Sequence, residues 1–203
     1  FPVHVGWRRE DEFLQDRFRP PTRHHLAGRV GKNGQIEAIQ HLQASGDVLL
    51  ASLPRVAAAV LGSDFGATRG IEPPYAIPNL ELRAKRVPLP VPTASWRGLG
   101  LLANTFAIES FVDELATSIN KDPLQFRLQH LPEESTKRLR RALMHVGKMS
   151  NWESRRNKGT ALGIACCQDY GTVVAQVAEV EIHNDLIRAR RIWAVMDCGQ
   201  VVN

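Results

Sequence analysis

Asn104-Thr105-Phe106-Ala107-Ile108-Glu109-Ser110-Phe111-Val112-Asp113-Glu114-Leu115-Ala116-Thr117-Ser118-Ile119 is the clearest helix of the chain, and what flanks it decides the fold class. Phe106, Ile108, Phe111, Val112, Leu115, Ala116 and Ile119 recur near helical spacing, while Glu109, Asp113 and Glu114 are expected on the outer face. A second helix follows at once, with Asp122 as a natural N-cap and Pro123 at its first position, leading into Leu124, Phe126, Leu128 and Leu131. A third, basic helix is expected from about Glu133 to Val146, with Glu133 and Glu134 at its positive end.

Outward from this helical block the chain is extended on both sides. Phe1 to Arg8 is a candidate strand ending in the cluster Arg8-Arg9-Glu10-Asp11-Glu12. About Thr22 to Val30 and about Gln35 to Ala44 pair as a hairpin across Gly31-Lys32-Asn33-Gly34, because Asn-Gly between two such runs tolerates positive φ. Ala57 to Leu61 is a short helix candidate stopped by Gly62. Six prolines between Ile71 and Thr93 exclude helix there and leave an edge strand near Leu80 to Val87. Beyond the helices, Leu162 to Gln168, Thr172 to Ile182 and Leu186 to Met196 form a β-meander, the last two joined through His183-Asn184-Asp185. Strands, then helices, then strands make an α+β fold rather than a doubly wound sheet: a β-hairpin-rich N-terminal part, central helices, and a C-terminal antiparallel meander.

At 203 residues, 43% hydrophobic and 23% charged, the chain is of ordinary globular composition and long enough to bury roughly 70% of its unfolded surface. Three cysteines rule out a disulfide framework. No apolar run approaches the ~18 residues of a membrane span. The net charge of +5 is local: residues 133–158 hold eight Lys+Arg against three acids, and the rest of the chain is neutral. That stretch lacks aromatic interleaving except Trp152 and carries no nucleic-acid-binding signature, so a solvated basic face is favoured. The rival reading is a non-catalytic module that binds nucleic acid or an acidic protein partner through 133–158. Phe1 already opens a strand-like run and Asp197 to Asn203 stops just past a strand, so a segment of a longer polypeptide is expected.

Trp96-Arg97-Gly98-Leu99-Gly100 is the most unusual local feature. Two glycines ahead of the best helix let backbone amides approach a ligand, and a helix N-terminus favours an anion. The alternative is a tight turn that only connects strand to helix. Cys166, Cys167 and Cys198 lack metal-ligand spacing, and the first two are expected as small buried hydrophobes on opposite strand faces. His24 and His25, adjacent on a strand, also face opposite ways, which argues against a shared metal site with His4 or His41. A hydrolase reading through Asp197, Cys198 and a histidine requires an imidazole beside Cys198.

Several motifs then combine in order along the chain. These are Val3-His4-Val5-Gly6-Trp7-Arg8-Arg9-Glu10-Asp11, Ala76-Ile77-Pro78-Asn79, Trp96-Arg97-Gly98-Leu99-Gly100, Ala107 to Ala116, Asp122-Pro123-Leu124-Gln125-Phe126-Arg127 and Asp197-Cys198-Gly199-Gln200-Val201-Val202-Asn203. Together they resemble the molybdenum-binding large subunit of the xanthine dehydrogenase/aldehyde oxidase family, in particular the isoquinoline 1-oxidoreductase β-subunit type. The resemblance implies hydroxylation of an aldehyde or N-heterocycle with water as the oxygen source. It implies molybdenum held by a molybdopterin dinucleotide, and electrons leaving through [2Fe–2S] clusters on an iron–sulfur small subunit or domain. Arg97, Gly98 and Gly100 match the loop that brings its backbone to the cofactor. The substrate-facing position two after the arginine, aromatic in xanthine oxidoreductases, is Leu99. Arg69 lies near the place of a purine-holding arginine but does not align with it.

The resemblance also implies that the family's glycine-rich cofactor motif and catalytic glutamate lie outside these 203 residues. No catalytic residue and no metal ligand is therefore expected within them. Residues 1–131 are expected as part of the molybdopterin-binding domain, 132–158 as a basic helical connector, and 159–203 as a meander that begins the next subdomain. The remainder of the large subunit is an expected partner. Bacterial cytoplasm and periplasm both fit.

Overall fold

The computed structural model describes residues 1–54, 56, 60–154 and 159–202. Its elements are α1 (Arg9–Gln15), β1 (Thr22–Val30), β2 (Ile36–Ser45), a 3-10 turn (Leu50–Ser52), β3 (Asn79–Arg86), α2 (Leu101–Ser118), α3 (Pro123–His130), α4 (Lys137–Met149), β4 (Thr160–Asp169), β5 (Thr172–His183) and β6 (Leu186–Asp197). Two three-stranded sheets, ordered β1-β2-β3 and β4-β5-β6, flank the helices, so the fold is α+β. Of the helix expected at Ala57 to Leu61, residues 57–59 lie outside the described residues.

β1 and β2 are antiparallel, from Thr22 opposite Ser45 to Val30 opposite Ile36. In their turn only Gly34 has positive φ (76°), so the Asn33 backbone does not use the freedom expected of it. Asn33 contributes instead through its side-chain oxygen, which accepts the Gln35 N–H at 3.1 Å. β3 is an edge strand, and it runs parallel to β2. The long excursion through residues 46–78 makes that direction possible, since a parallel pair needs a crossover.

Three expectations are corrected. Phe1 to Arg8 is not a strand: Val3, Val5 and Trp7 are exposed and no ladder includes them. Alternation alone does not make a strand without a ladder partner, and the acidic cluster instead opens α1, where Asp11 accepts the Arg8 N–H at 3.3 Å. The basic helix begins at Lys137, with Glu133 and Glu134 in the preceding turn, where Pro132 O accepts the Thr136 N–H. Glu109, expected on the outer face of α2, is buried.

That burial explains how the halves are joined. Arg127 of α3 is fully buried; its Nε donates to Glu109 Oε2 at 3.0 Å, Nη2 to Glu109 O at 3.0 Å and Nη1 to Asp113 Oδ1 at 2.5 Å. Tyr75 Oη and the Cys166 N–H of β4 donate to the same Glu109 carboxylate, each at 2.7 Å. The ion pair is therefore hydrogen-bonded on all sides, the condition under which a buried charge is tolerated. His130 adds a second tie: it accepts the Ile36 N–H through Nε2 at 2.9 Å, so its Nδ1–H donates to Phe126 O at 2.7 Å. Burial lowers its pKa, consistent with this neutral form. Around these ties pack Val112, Phe126, Leu139, Leu143, Val146 and Val177, and α4 lays its apolar face on β5 and β6.

Candidate functional site

The front end of α2 is built on a loop whose conformation is uncommon. Gly98 (φ 84°) and Leu99 (φ 52°) both lie in the left-handed region, which Gly adopts freely and Leu at a cost of about 1–2 kcal/mol. Leu99 N–H donates to Trp96 O at 2.8 Å, Leu101 N–H to Gly98 O at 2.9 Å, and Gly100 N–H to Gly66 O at 2.9 Å. Among the described residues the Gly98 N–H has no acceptor, and a Cβ placed on Gly98 meets nothing within 4 Å. Arg97 is exposed and no carboxylate pairs with it among the described residues. Gly100 is the helix N-cap, without side-chain capping and with no acid in the first turn, so the positive end of α2 is not neutralised by its own chain.

Gly100 serves the loop differently from Gly98. A Cβ on Gly100 would lie 2.1 Å from Ala67 O, so glycine is required by the backbone of Gly66-Ala67 packed behind it. That backing is itself strongly held. Asp64, buried, accepts backbone N–H groups from Val48 (2.7 Å), Leu50 (3.0 Å) and Gly66 (2.9 Å), with further bonds from Leu49 and Ala67. Burial pushes the Asp64 pKa up, but these amides outweigh it and hold the carboxyl below its ordinary value. Ala67 O accepts from Gln43 Nε2 at 2.9 Å and Asn104 Nδ2 at 3.0 Å, tying β2 and α2 to the same point.

A cleft of about 420 Å³ opens beside the loop, lined in part by Phe13, Phe18, Arg19 and Trp96. Arg19 reaches from it to the loop itself, donating to Arg97 O at 2.9 Å and Leu99 O at 3.0 Å. Sequence reasoning does not single out Asp64, Asn104, Gln43 or Arg19. Asn104 follows the apolar run Leu101-Leu102-Ala103, which is a usable signal; Asp64, in Gly62-Ser63-Asp64-Phe65-Gly66, and Arg19 have none.

The other candidates are placed as follows. Arg69 is bound bidentately to Asp169 (2.9 and 2.6 Å) and lies over the Tyr170 ring at 3.9 Å, so it ties the first half to the meander. Cys166 is buried and Cys167 half-buried; burial raises both thiol pKa values. His25 is exposed, whereas His24 Nδ1 meets His41 Nε2 across the hairpin at 2.9 Å. Burial and the neighbouring His24 lower the His41 pKa to about 4. No group of three potential metal ligands occurs among the described residues. Asp197 binds Arg138 with both oxygens (2.7 and 2.6 Å) rather than orienting a histidine. Arg138 is neutralised by Asp197, and Arg140 is turned onto Leu128 O and Leu131 O, so both guanidiniums are engaged within the chain.

Residues 1–131 match the family described as the molybdopterin cofactor-binding domain. The chain belongs to this family. It is 32% identical over 209 aligned positions to the beta subunit of isoquinoline 1-oxidoreductase from Brevundimonas diminuta, covering 98% of this chain and 26% of that protein. It is 29% identical over 137 positions to a nicotinate dehydrogenase subunit from Pseudomonas putida, covering 65% of this chain and 12% of that protein. The aldehyde oxidoreductase of Desulfovibrio gigas shares the fold, with a TM-score of 0.50 and 21% identity, over 84% of this chain and 21% of that one. The chain is thus related to molybdopterin-dependent oxidoreductases and spans about a quarter of the length of the first of these relatives. No described helix is long and apolar enough to cross a membrane.

Proposed function

We propose that this chain is part of a molybdenum hydroxylase and forms the wall of its cofactor site around Arg97, Gly98 and Gly100. The observation that carries the reading is the Gly98 N–H, which has no acceptor among the described residues, in a member of a molybdopterin-binding family. When bound, the molybdenum of a molybdopterin dinucleotide supplies two-electron oxidation of a carbon, with water giving the oxygen and [2Fe–2S] clusters on a partner subunit taking the electrons. This chain's residues bind and orient. Gly98 offers its amide to an acceptor on the cofactor, Arg97 offers an unpaired guanidinium to anionic groups, and Gly100 permits the tight packing that fixes both. Leu99 presents an aliphatic side chain to the substrate.

The substrate class that fits is an aldehyde or an N-heterocycle, the latter favoured by the names of the two curated relatives. Residues 1–131 form part of the cofactor domain, 132–158 connect it through a basic helix, and 159–203 begin the next subdomain. The rest of the large subunit and an iron–sulfur small subunit complete the enzyme. Purification of the complete enzyme with its partner, analysis for molybdenum and pterin nucleotide, and turnover of an N-heterocycle in ¹⁸O-labelled water test this. Stoichiometric metal and label in the hydroxylated product are expected. An enzyme without pterin, or product oxygen drawn from O₂, overturns the reading.

A further inference from the structure

We infer that Arg19 is a positioning residue for the cofactor loop, an inference that rests on the reading of that loop given above. Its guanidinium donates to two carbonyls of one turn, Arg97 O and Leu99 O, nearly 80 positions away in sequence. A planar fork is suited to spanning two acceptors at a fixed separation.

The consequence follows from peptide geometry. In a trans peptide the C=O and the following N–H point to opposite sides. With Arg97 O turned to Arg19, the Gly98 N–H must turn away from it, and among the described residues it finds no acceptor there. With Leu99 O turned to Arg19, the Gly100 N–H turns to Gly66 O, where it is satisfied at 2.9 Å. The middle peptide is closed by Leu101 N–H on Gly98 O and Leu99 N–H on Trp96 O. One clamp thus sets which amide of the loop remains available, and it stabilises the left-handed φ at Leu99 that the turn requires.

Arg19 is itself anchored for this. Phe18 pairs with Thr93 in a parallel bridge: its N–H donates to Pro92 O at 3.0 Å and its O accepts the Ala94 N–H at 3.1 Å, just upstream of the loop. Pro20, buried, fixes the backbone on the other side. Among the described residues no carboxylate pairs with Arg19, so its charge is shared only with carbonyl dipoles and adds to the positive field at the loop.

The experiment uses the complete enzyme with its partner subunit. Arg19→Met and Arg19→Lys are compared with Gly98→Val and with Arg23→Gln, an exposed arginine elsewhere on the hairpin. For Arg19→Met, kcat is expected to fall roughly 10- to 100-fold with metal and pterin content retained and KM changed less than kcat, as misplacement of a fixed donor predicts. The paramagnetic resonance spectrum of the partly reduced metal is expected to shift, and Arg19→Lys, reaching one carbonyl, to recover part of the rate. Arg23→Gln is expected to match the parent. Should Arg19→Met fail to fold, Arg19→Lys alone decides by the same rate and spectrum. A normal kcat and spectrum in the Arg19 variants beside a damaged Gly98→Val enzyme overturns the inference and leaves the loop reading standing. A rate loss explained wholly by lost metal, with an unchanged spectrum, also overturns it. Normal behaviour of every variant, Gly98→Val included, overturns the loop reading itself.

Discussion

The two halves of α2 treat polar groups in opposite ways. Midway along the helix, Glu109 has both carboxylate oxygens engaged by Tyr75, Arg127 and Cys166, and Arg127 also holds Asp113. Every strong group there finds its partner inside the chain. At the front end, the Gly98 N–H and the Arg97 guanidinium have none among the described residues, although the backbone carrying them is tightly held by Gly66, Ala67 and Arg19. The difference separates structure from function more clearly than residue type does. A charge closed on itself holds the fold, while an open donor on a rigid frame is placed for a ligand.

The sharpest way to break the closed half is to remove its cation. Arg127→Met leaves the buried Glu109 charge without its cation and is expected to cost about 3–5 kcal/mol in denaturant unfolding. A loss below about 1 kcal/mol would mean the network is not the tie between helices and meander. Next in size is a pH effect from the sheet beneath the helix. His41 is held neutral, with its pKa lowered to about 4 from an ordinary 6.5, so the unfolded chain binds the proton more readily between those values. Stability is therefore expected to be fully present above pH 6.5 and to fall as pH drops toward 4, by on the order of 3 kcal/mol, and His41→Gln is expected to flatten that slope. An identical slope in the variant would place the titration elsewhere.

Smaller effects are expected toward the front. Gly100→Ala drives a Cβ against Ala67 O and is expected to cost about 1–3 kcal/mol, measurable as a lower Tm. Arg97→Met is expected to change stability by no more than about 0.5 kcal/mol, as for an exposed side chain without a partner. A large destabilisation by Arg97→Met would put that side chain in the closed class and remove it from the site.

Much of this is legible in sequence where the signal is local. The Asp122-Pro123 start of α3 appears as expected, with the Asp122 side chain accepting the Gln125 N–H, and the three meander strands fall within two residues of their predicted ends. The Trp96 to Gly100 motif also stands where its glycines suggest, at the mouth of the long helix. What escapes depends on partners distant in sequence. Glu109 reads as an outer-face acid until Arg127, Tyr75 and the Cys166 amide are brought around it. Arg19 sits in a plain Phe-Arg-Pro-Pro run, and only the parallel bridge to residues 92–94 puts it beside the loop. Phe1 to Arg8 misleads in the other direction, since its alternation joins no ladder among the described residues and its apolar side chains stay exposed.

The central claim, that the open end of α2 faces the cofactor, is most directly tested by two glycines in the same conformational class. Gly98 (φ 84°) and Gly171 (φ 76°, in the β4–β5 turn) both meet nothing within 4 Å at the Cβ position, so valine imposes similar backbone strain at each. Molybdenum and pterin content and turnover are measured in the complete enzyme carrying Gly98→Val or Gly171→Val. The account predicts that Gly98→Val loses cofactor or rate by tenfold or more while Gly171→Val retains both. Equal occupancy and equal rates in the two variants would contradict it.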